Sequence, residues 1–250
     1  MKRRIIFMLF GLIFLVALIV VSAVFISKQR EKATCTGVDV FFDEDEQFIP
    51  SKDIEYIVYN SVKNLKSRKL KTLNTERIEA NIEKLPWVNK AEVFIGYQKI
   101  DSKFFAGRLK VFIDQREPYF RVMHGEGGYY VDREGNKMPF SPINTAKVVV
   151  CSGWVTNEMI HGKLMEFINY INDDKFWKAQ IEQIFVKPDG DLVLVPRLGG
   201  HLIEIGQVEN LDKKFRNLMA LYEDGFKDGG WEKYRKVSVK YNNLVVCTRK

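Results

Sequence analysis

The chain has 250 residues, 46% of them apolar and 28% charged, which excludes disordered, collagen-like and mucin-like classes and leaves room for one or two folded domains. Its formal net charge is +7, but the placement of that charge argues against a nucleic-acid binder. Lys2, Arg3, Arg4, Lys28, Arg30 and Lys32 flank one apolar run with Glu31 the only acid among them, and from Ala33 onward 33 basic residues face 31 acidic ones.

Ile5 to Ile26 is a run of 22 residues without an ionisable side chain. As a helix it spans roughly 33 Å, about the thickness of a bilayer's hydrocarbon core, and only a helix carries a lone segment through lipid with its backbone groups satisfied. A cleaved signal peptide is the alternative, with Val21-Ser22-Ala23 as a small-residue cleavage site. The run exceeds the usual apolar region of about 7–15 residues, however, so a retained anchor is the reading. Residues 1–4 form a cytoplasmic tail, 5–26 the transmembrane helix, and the body lies on the other side. Three basic residues on each side of the run leave the positive-inside rule nearly silent. The orientation therefore rests on the amino-terminal charge and on a short tail preceding a long body.

Val38 to Phe42 reads as a first strand. The acidic run Asp43-Glu44-Asp45-Glu46 lacks the spaced ligands of a cation site and reads as a solvated loop. From Ser51, Ile54, Ile57, Val58, Ser61, Val62 and Leu65 recur at helical spacing, with Ser51 placed to cap. Lys63 to Lys71 is a basic stretch, read as an exposed helix end and loop. A second helix is expected from Thr75 to Leu85, ended by Pro86. Strands follow near 90–96 and 107–114, the latter alternating Leu109, Val111 and Ile113 against Lys110, Phe112 and Asp114. This is a β-α-α-β-β unit with its helices on one face.

Downstream, Gln115-Arg116-Glu117-Pro118 ends a strand, with Arg116 either pairing with an acid or lying on the surface. Asp132 to Asn136 supplies turn chemistry between Gly128–Val131 and Lys137–Phe140. Arg121 to Gly125 reads as a short interdomain link. Strands are expected at 146–151, 181–186, 192–195 and 201–205, with amphipathic helices at 158–172 and 211–222. Val237 to Tyr241, the turn Asn242-Asn243 and Leu244 to Thr248 form a terminal hairpin.

A β-α-α-β-β module directly after a single anchor resembles a polypeptide-transport-associated (POTRA) domain. Leu85-Pro86-Trp87-Val88 followed by Ala91-Glu92-Val93 resembles that domain in the bacterial cell-division family FtsQ/DivIB. The run Leu109-x-Val111-x-Ile113-x-Gln115-Arg116-x-Pro118, then Tyr129-Tyr130-Val131-Asp132-x-x-Gly135 and Met138-Pro139-x-Ser141, continues the likeness into that family's second domain. The expected class is α+β: a transmembrane helix, a POTRA-like domain over 33–122, and a mostly antiparallel C-terminal β domain with two helices over 123–250.

Function classes narrow accordingly. His124, His161 and His201 are scattered, and no HExxH, Walker A or GxSxG motif occurs, so no catalytic residue, cofactor, metal or small-molecule substrate is expected. Cys35, Cys151 and Cys247 make no CxxC pair. The latter two end strand-like runs, where a buried thiol is the default and a disulfide between them the alternative.

A binding role remains. The terminal strand, with Leu244, Val245, Val246 and Cys247, either keeps an open edge for a foreign strand or is paired on both sides. A proline at Val246 is expected to abolish such pairing while sparing the fold. Trp231 and Tyr234 are either exposed anchors near that surface or core.

The resemblance implies more. The last strand of the family's second domain docks a segment of the small bitopic protein FtsB, which pairs with FtsL, and Tyr241 and Asn243 align with the partner-contacting turn. It implies a divisome scaffold in the cytoplasmic (inner) membrane at the septum, with its domains outside the cytoplasm. A POTRA-containing transport or outer-membrane-assembly component is the alternative; it would carry tandem modules or a barrel.

Overall fold

The computed structural model describes residues 2–99, 105–241 and 244–250. Two compact units emerge, Met1–Gln115 and Arg116–Lys250. The first begins with α1 (Lys2–Lys32), one unbroken helix. Its large apolar side chains from Leu12 to Ile26 are exposed, so no protein core accounts for them, and length and composition suit a membrane span.

The α+β expectation holds. In the first unit β1 (Thr34–Phe42), α2 (Ser51–Ser61), α3 (Thr75–Ile82), β2 (Val88–Lys99) and β3 (Phe105–Gln115) follow in order. The sheet order is β1-β3-β2, with β1 parallel and β2 antiparallel to β3. Ile54 and Val58 of α2 and Ile78 and Ile82 of α3 are buried with Leu109, Val111 and Ile113, the predicted inward set of β3.

Local details differ. Pro50, not Ser51, holds the N-cap position of α2, without a side-chain cap bond. α3 is capped by Asn74, whose Oδ1 accepts from the Arg77 amide at 2.8 Å, and it stops at Ile82, before Pro86 requires it. Both hairpin strands run longer than expected, and the remainder of the proposed tip, 100–104, lies outside the described residues.

The second unit is one sheet in the order β12-β11-β10-β9-β8-β7-β4-β5-β6. Its strands are β4 (Phe120–His124), β5 (Gly127–Val131), β6 (Lys137–Met138), β7 (Val149–Gly153), β8 (Ile181–Val186), β9 (Leu192–Pro196), β10 (Leu202–Gly206), β11 (Tyr234–Ser238) and β12 (Val246–Arg249). Antiparallel pairing dominates, with parallel pairs only at β4/β7, β7/β8 and β10/β11. The second of these is crossed by α4 (Asn157–Ile160), α5 (Lys163–Asp173) and α6 (Lys175–Gln180), the third by α7 (Leu211–Ala220). Leu164, Phe167, Ile168, Trp177, Phe215 and Leu218 from these helices join Phe120, Cys151, Ile184, Leu194, Ile203 and Val237 from the strands in one core.

The expected link at Arg121 to Gly125 is largely strand β4, so the first unit ends at Gln115 and not at 122. The single helix expected over 158–172 is broken at Gly162 into α4 and α5. α6 was not foreseen; Asp174 starts it by accepting from the amides of Phe176 and Trp177 at 2.8 and 3.0 Å. Arg116 takes the paired alternative: its Nη1 donates to Asp132 Oδ2 at 2.9 Å, beside the bonds Asp132 accepts from the Asn136 amide and side chain at 2.7 and 2.9 Å. Gly135 in this turn has φ +88° and lies against the His161 ring, so a side chain there is strained by its conformation and must push that ring aside.

Candidate functional site

A sheet can accept a foreign strand only where its own edge groups are free. In the first unit the β2 edge is blocked at Ala91 and Val93: the carboxylates of Glu79 on α3 and of Glu83 at its C-cap accept from the amides of Val93 and Ala91 at 2.7 and 3.2 Å. The start of β1 is bridged to Lys69, and Cys35 donates to the Arg68 carbonyl at 3.1 Å. In the second unit β6 has two residues, too few to template a partner. β12 pairs with β11 on one side, and among the described residues no strand covers the other.

Register decides which groups of β12 point outward. Val239 donates to the Glu204 carbonyl of β10 at 2.9 Å, and by alternation Ser238 and Lys236 turn their amides towards β12. Their opposite numbers are Val246 and Thr248, and Lys250 donates inward to the Lys233 carbonyl at 3.1 Å. Val246 and Thr248 therefore bond to β11, while Cys247 and Arg249 present N–H and C=O to the outside. The expectation for a proline at Val246 is thus overturned: it would remove an inner ladder bond.

The side chains named in advance fall into three groups. Tyr241 (60%), Leu244 (54%) and Val246 (40%) are exposed, an apolar rim beside the open edge. Val245 and Cys247 are half-buried against the core, and burial pushes the Cys247 thiol up. Trp231 and Tyr234 take the core alternative, each packing on Phe226 at ring distances of 6.4 and 5.8 Å. Asn243, with Asn242, lies outside the described residues. The connection runs from Val239 to Val245, so the expected two-residue turn is replaced by a longer loop. The Cys151–Cys247 disulfide is excluded, because β8 to β11 separate the two thiols by roughly 24 Å.

Two polar groups missed by the sequence reading support this edge. Lys240 Nζ reaches the buried Asp191 carboxylate at 2.5 Å, and Gln207 Nε2 donates to its other oxygen at 2.8 Å. Burial raises the Asp191 carboxyl, but bonds from Lys240 and Gln207 outweigh it and hold it below the usual carboxylate value. The Lys240 stem packs over Gly206, whose φ is +73°, so the start of the β11–β12 loop is pinned to β10.

His201 is buried among aromatic rings, with Nε2 at 3.0 Å from Tyr222 Oη and its ring 5.3 Å from Phe226, the residue on which Trp231 and Tyr234 rest. Nδ1 has no hydrogen-bond partner among the described residues. Burial, helped by the Lys250 charge, holds the imidazole below its ordinary 6.5. A folded-state value below the unfolded one means stability is complete above about 6.5 and is lost as pH falls. In the protonated ring both nitrogens are donors and Nδ1–H faces no partner, a cost of roughly 1–3 kcal/mol. Thermal unfolding of the full chain from pH 7.5 down to pH 5 is expected to show this loss, and His201→Gln is expected to flatten it; an unchanged slope in the variant would assign the loss elsewhere.

A family profile described as FtsQ/DivIB, C-terminal related, matches residues 117–248, and one described as a POTRA-like domain matches 33–100. The chain belongs to the FtsQ/DivIB family. No curated protein matches it. FtsQ/DivIB proteins are non-enzymatic scaffolds of the division machinery that act through other divisome proteins, and the uncovered apolar helix of this member fits a single-pass anchor. The C-terminal match runs from ahead of β4 to Thr248 within β12.

Proposed function

We propose that this FtsQ/DivIB chain is a bitopic scaffold that recruits and regulates septal peptidoglycan synthesis by adding a strand of an FtsB-like partner, itself paired with an FtsL-like protein, to the β12 edge. The observation that carries the reading is the outward N–H and C=O of Cys247 and Arg249 on a terminal strand, flanked by exposed Tyr241, Leu244 and Val246. Main-chain bonds supply affinity and the apolar rim supplies selectivity. Both folded units lie outside the cytoplasm, where the small partners expose their own folded segments, and residues 1–4 lie inside.

A fluorescent fusion of the full chain is expected to form a mid-cell band that disperses when the FtsB-like partner is depleted. Uniform membrane labelling in dividing cells would overturn the division role. A band that persists without the partner would leave the division role standing and remove the β12 interaction as its basis.

A further inference from the structure

The sequence stretch 63–71 carries five basic residues and no acid, and the fold places it beside the membrane anchor. Two short 3-10 turns form it, Leu65–Ser67 and Leu70–Thr72, whose Leu65 and Leu70 are buried while Lys63, Lys66, Arg68, Lys69 and Lys71 are exposed. Backbone bonds tie it to the residues that leave α1: Leu70 donates to the Ala33 carbonyl at 3.0 Å, Cys35 donates to the Arg68 carbonyl at 3.1 Å, and Thr34 bridges Lys69. Lys71 Nζ lies 2.7 Å from Glu31, the only acid near the end of α1. Tyr97, at 38% exposure, shares a recess with Ala23, Ile26, Ser27 and Lys71, the position expected of an interfacial aromatic.

These constraints fix a height above the bilayer. From Ile26, the last residue of the apolar run, to Lys32 the helix rises roughly 9 Å, which clears the headgroup layer and ends well within one Debye length of it. A turn bonded to Ala33 and Cys35 therefore holds its cations at or just above the lipid phosphates. They are spread over two turns whose leucines are buried, so the backbone that carries them is fixed before any anion arrives.

We propose that the basic turn 63–71 of the first unit docks on anionic phospholipid headgroups beside the anchor, so that the unit rests on the membrane surface and its tilt depends on lipid charge. The occupant is the lipid surface itself, argued from charge complementarity and from continuity with the span. The surface is separate from the β12 edge, and the two proposals stand or fall independently.

The test uses the full chain reconstituted in bilayers of phosphatidylcholine alone or mixed with phosphatidylglycerol. Amines are acylated with a neutral reagent and read residue by residue by mass spectrometry. Acylation of Lys63, Lys66 and Lys69 is expected to slow by about fivefold in the anionic bilayer and to recover in high salt. Lys84, which precedes β2 at the end opposite Tyr97, serves as the control and is expected to react equally in both bilayers. The combined variant Lys66→Gln, Arg68→Gln, Lys69→Gln changes only exposed side chains and is expected to abolish the slowing at Lys63. Equal rates in the two bilayers, or equal slowing at Lys84, would overturn the proposal. Equal protection by excess inorganic phosphate in the neutral bilayer would also overturn it, in favour of a general anion site.

Discussion

Cys247→Pro is expected to weaken capture of an FtsB-like strand by about tenfold or more while leaving the nine-stranded sheet folded. The residue faces Val237 at a position where, by the register of β11 and β12, its N–H points away from the sheet. Proline there removes a donor that the chain itself does not use and places its ring where an incoming backbone must lie. An edge strand tolerates proline on its solvent side, since no ladder bond is lost. Val246→Pro is the internal contrast: it breaks a bond to β11 opposite Ser238 and is expected to loosen β12 itself. Titration of the full-length chain with the partner, alongside hydrogen exchange of the β11 amides, separates the two effects. Wild-type affinity in the Cys247→Pro protein would show that the partner does not use this edge.

Asp132→Ala is expected to destabilise the β5–β6 turn by about 3–5 kcal/mol. The Asp132 side chain is 3% exposed and that of Arg116 23%, so little solvent is available to replace the lost bonds. The substitution strands the Arg116 guanidinium and leaves the amide and side chain of Asn136 without their acceptor, in a turn whose geometry also depends on Gly135. Hydrogen exchange at Asn136 and along β5 is expected to accelerate by about a hundredfold or more. Arg116→Ala is expected to cost a comparable amount, because it leaves a buried carboxylate unpaired. A cost below about 1 kcal/mol in both variants would make the pair no more than a surface ion pair.

The elements that could be read in advance are those whose signal is local. Ile54 and Val58, or Leu164, Phe167, Ile168 and Ile171, recur at helical spacing and are buried in helices. Leu109, Val111 and Ile113 alternate and are buried in a strand. Where two local signals compete, the reading slipped: the periodicity of 158–172 runs through Gly162, and the β-branched Val237 and Val239 drew the last hairpin about three residues late. β11 starts at Tyr234 because Arg249 of β12 pairs with it, and β10 joins only from Lys236, opposite Leu202, constraints written in no neighbouring residue. The Asp191–Lys240 pair, 49 residues apart, was invisible for the same reason.

By itself the sequence determined that this protein has a long apolar helix followed by an α+β body, and its ordered motifs pointed to the FtsQ/DivIB family. Side-chain periodicity and turn chemistry act over a few residues, so they survive in one dimension. Only the tertiary structure decided that no described strand covers the outer side of β12, that Cys247 and Arg249 face outward while Val246 bonds inward, and that a basic stretch thirty residues past the anchor sits beside its exit. Strand order and register are set by backbone pairing between distant segments, and which edge remains free is known only once every other strand has found its neighbours.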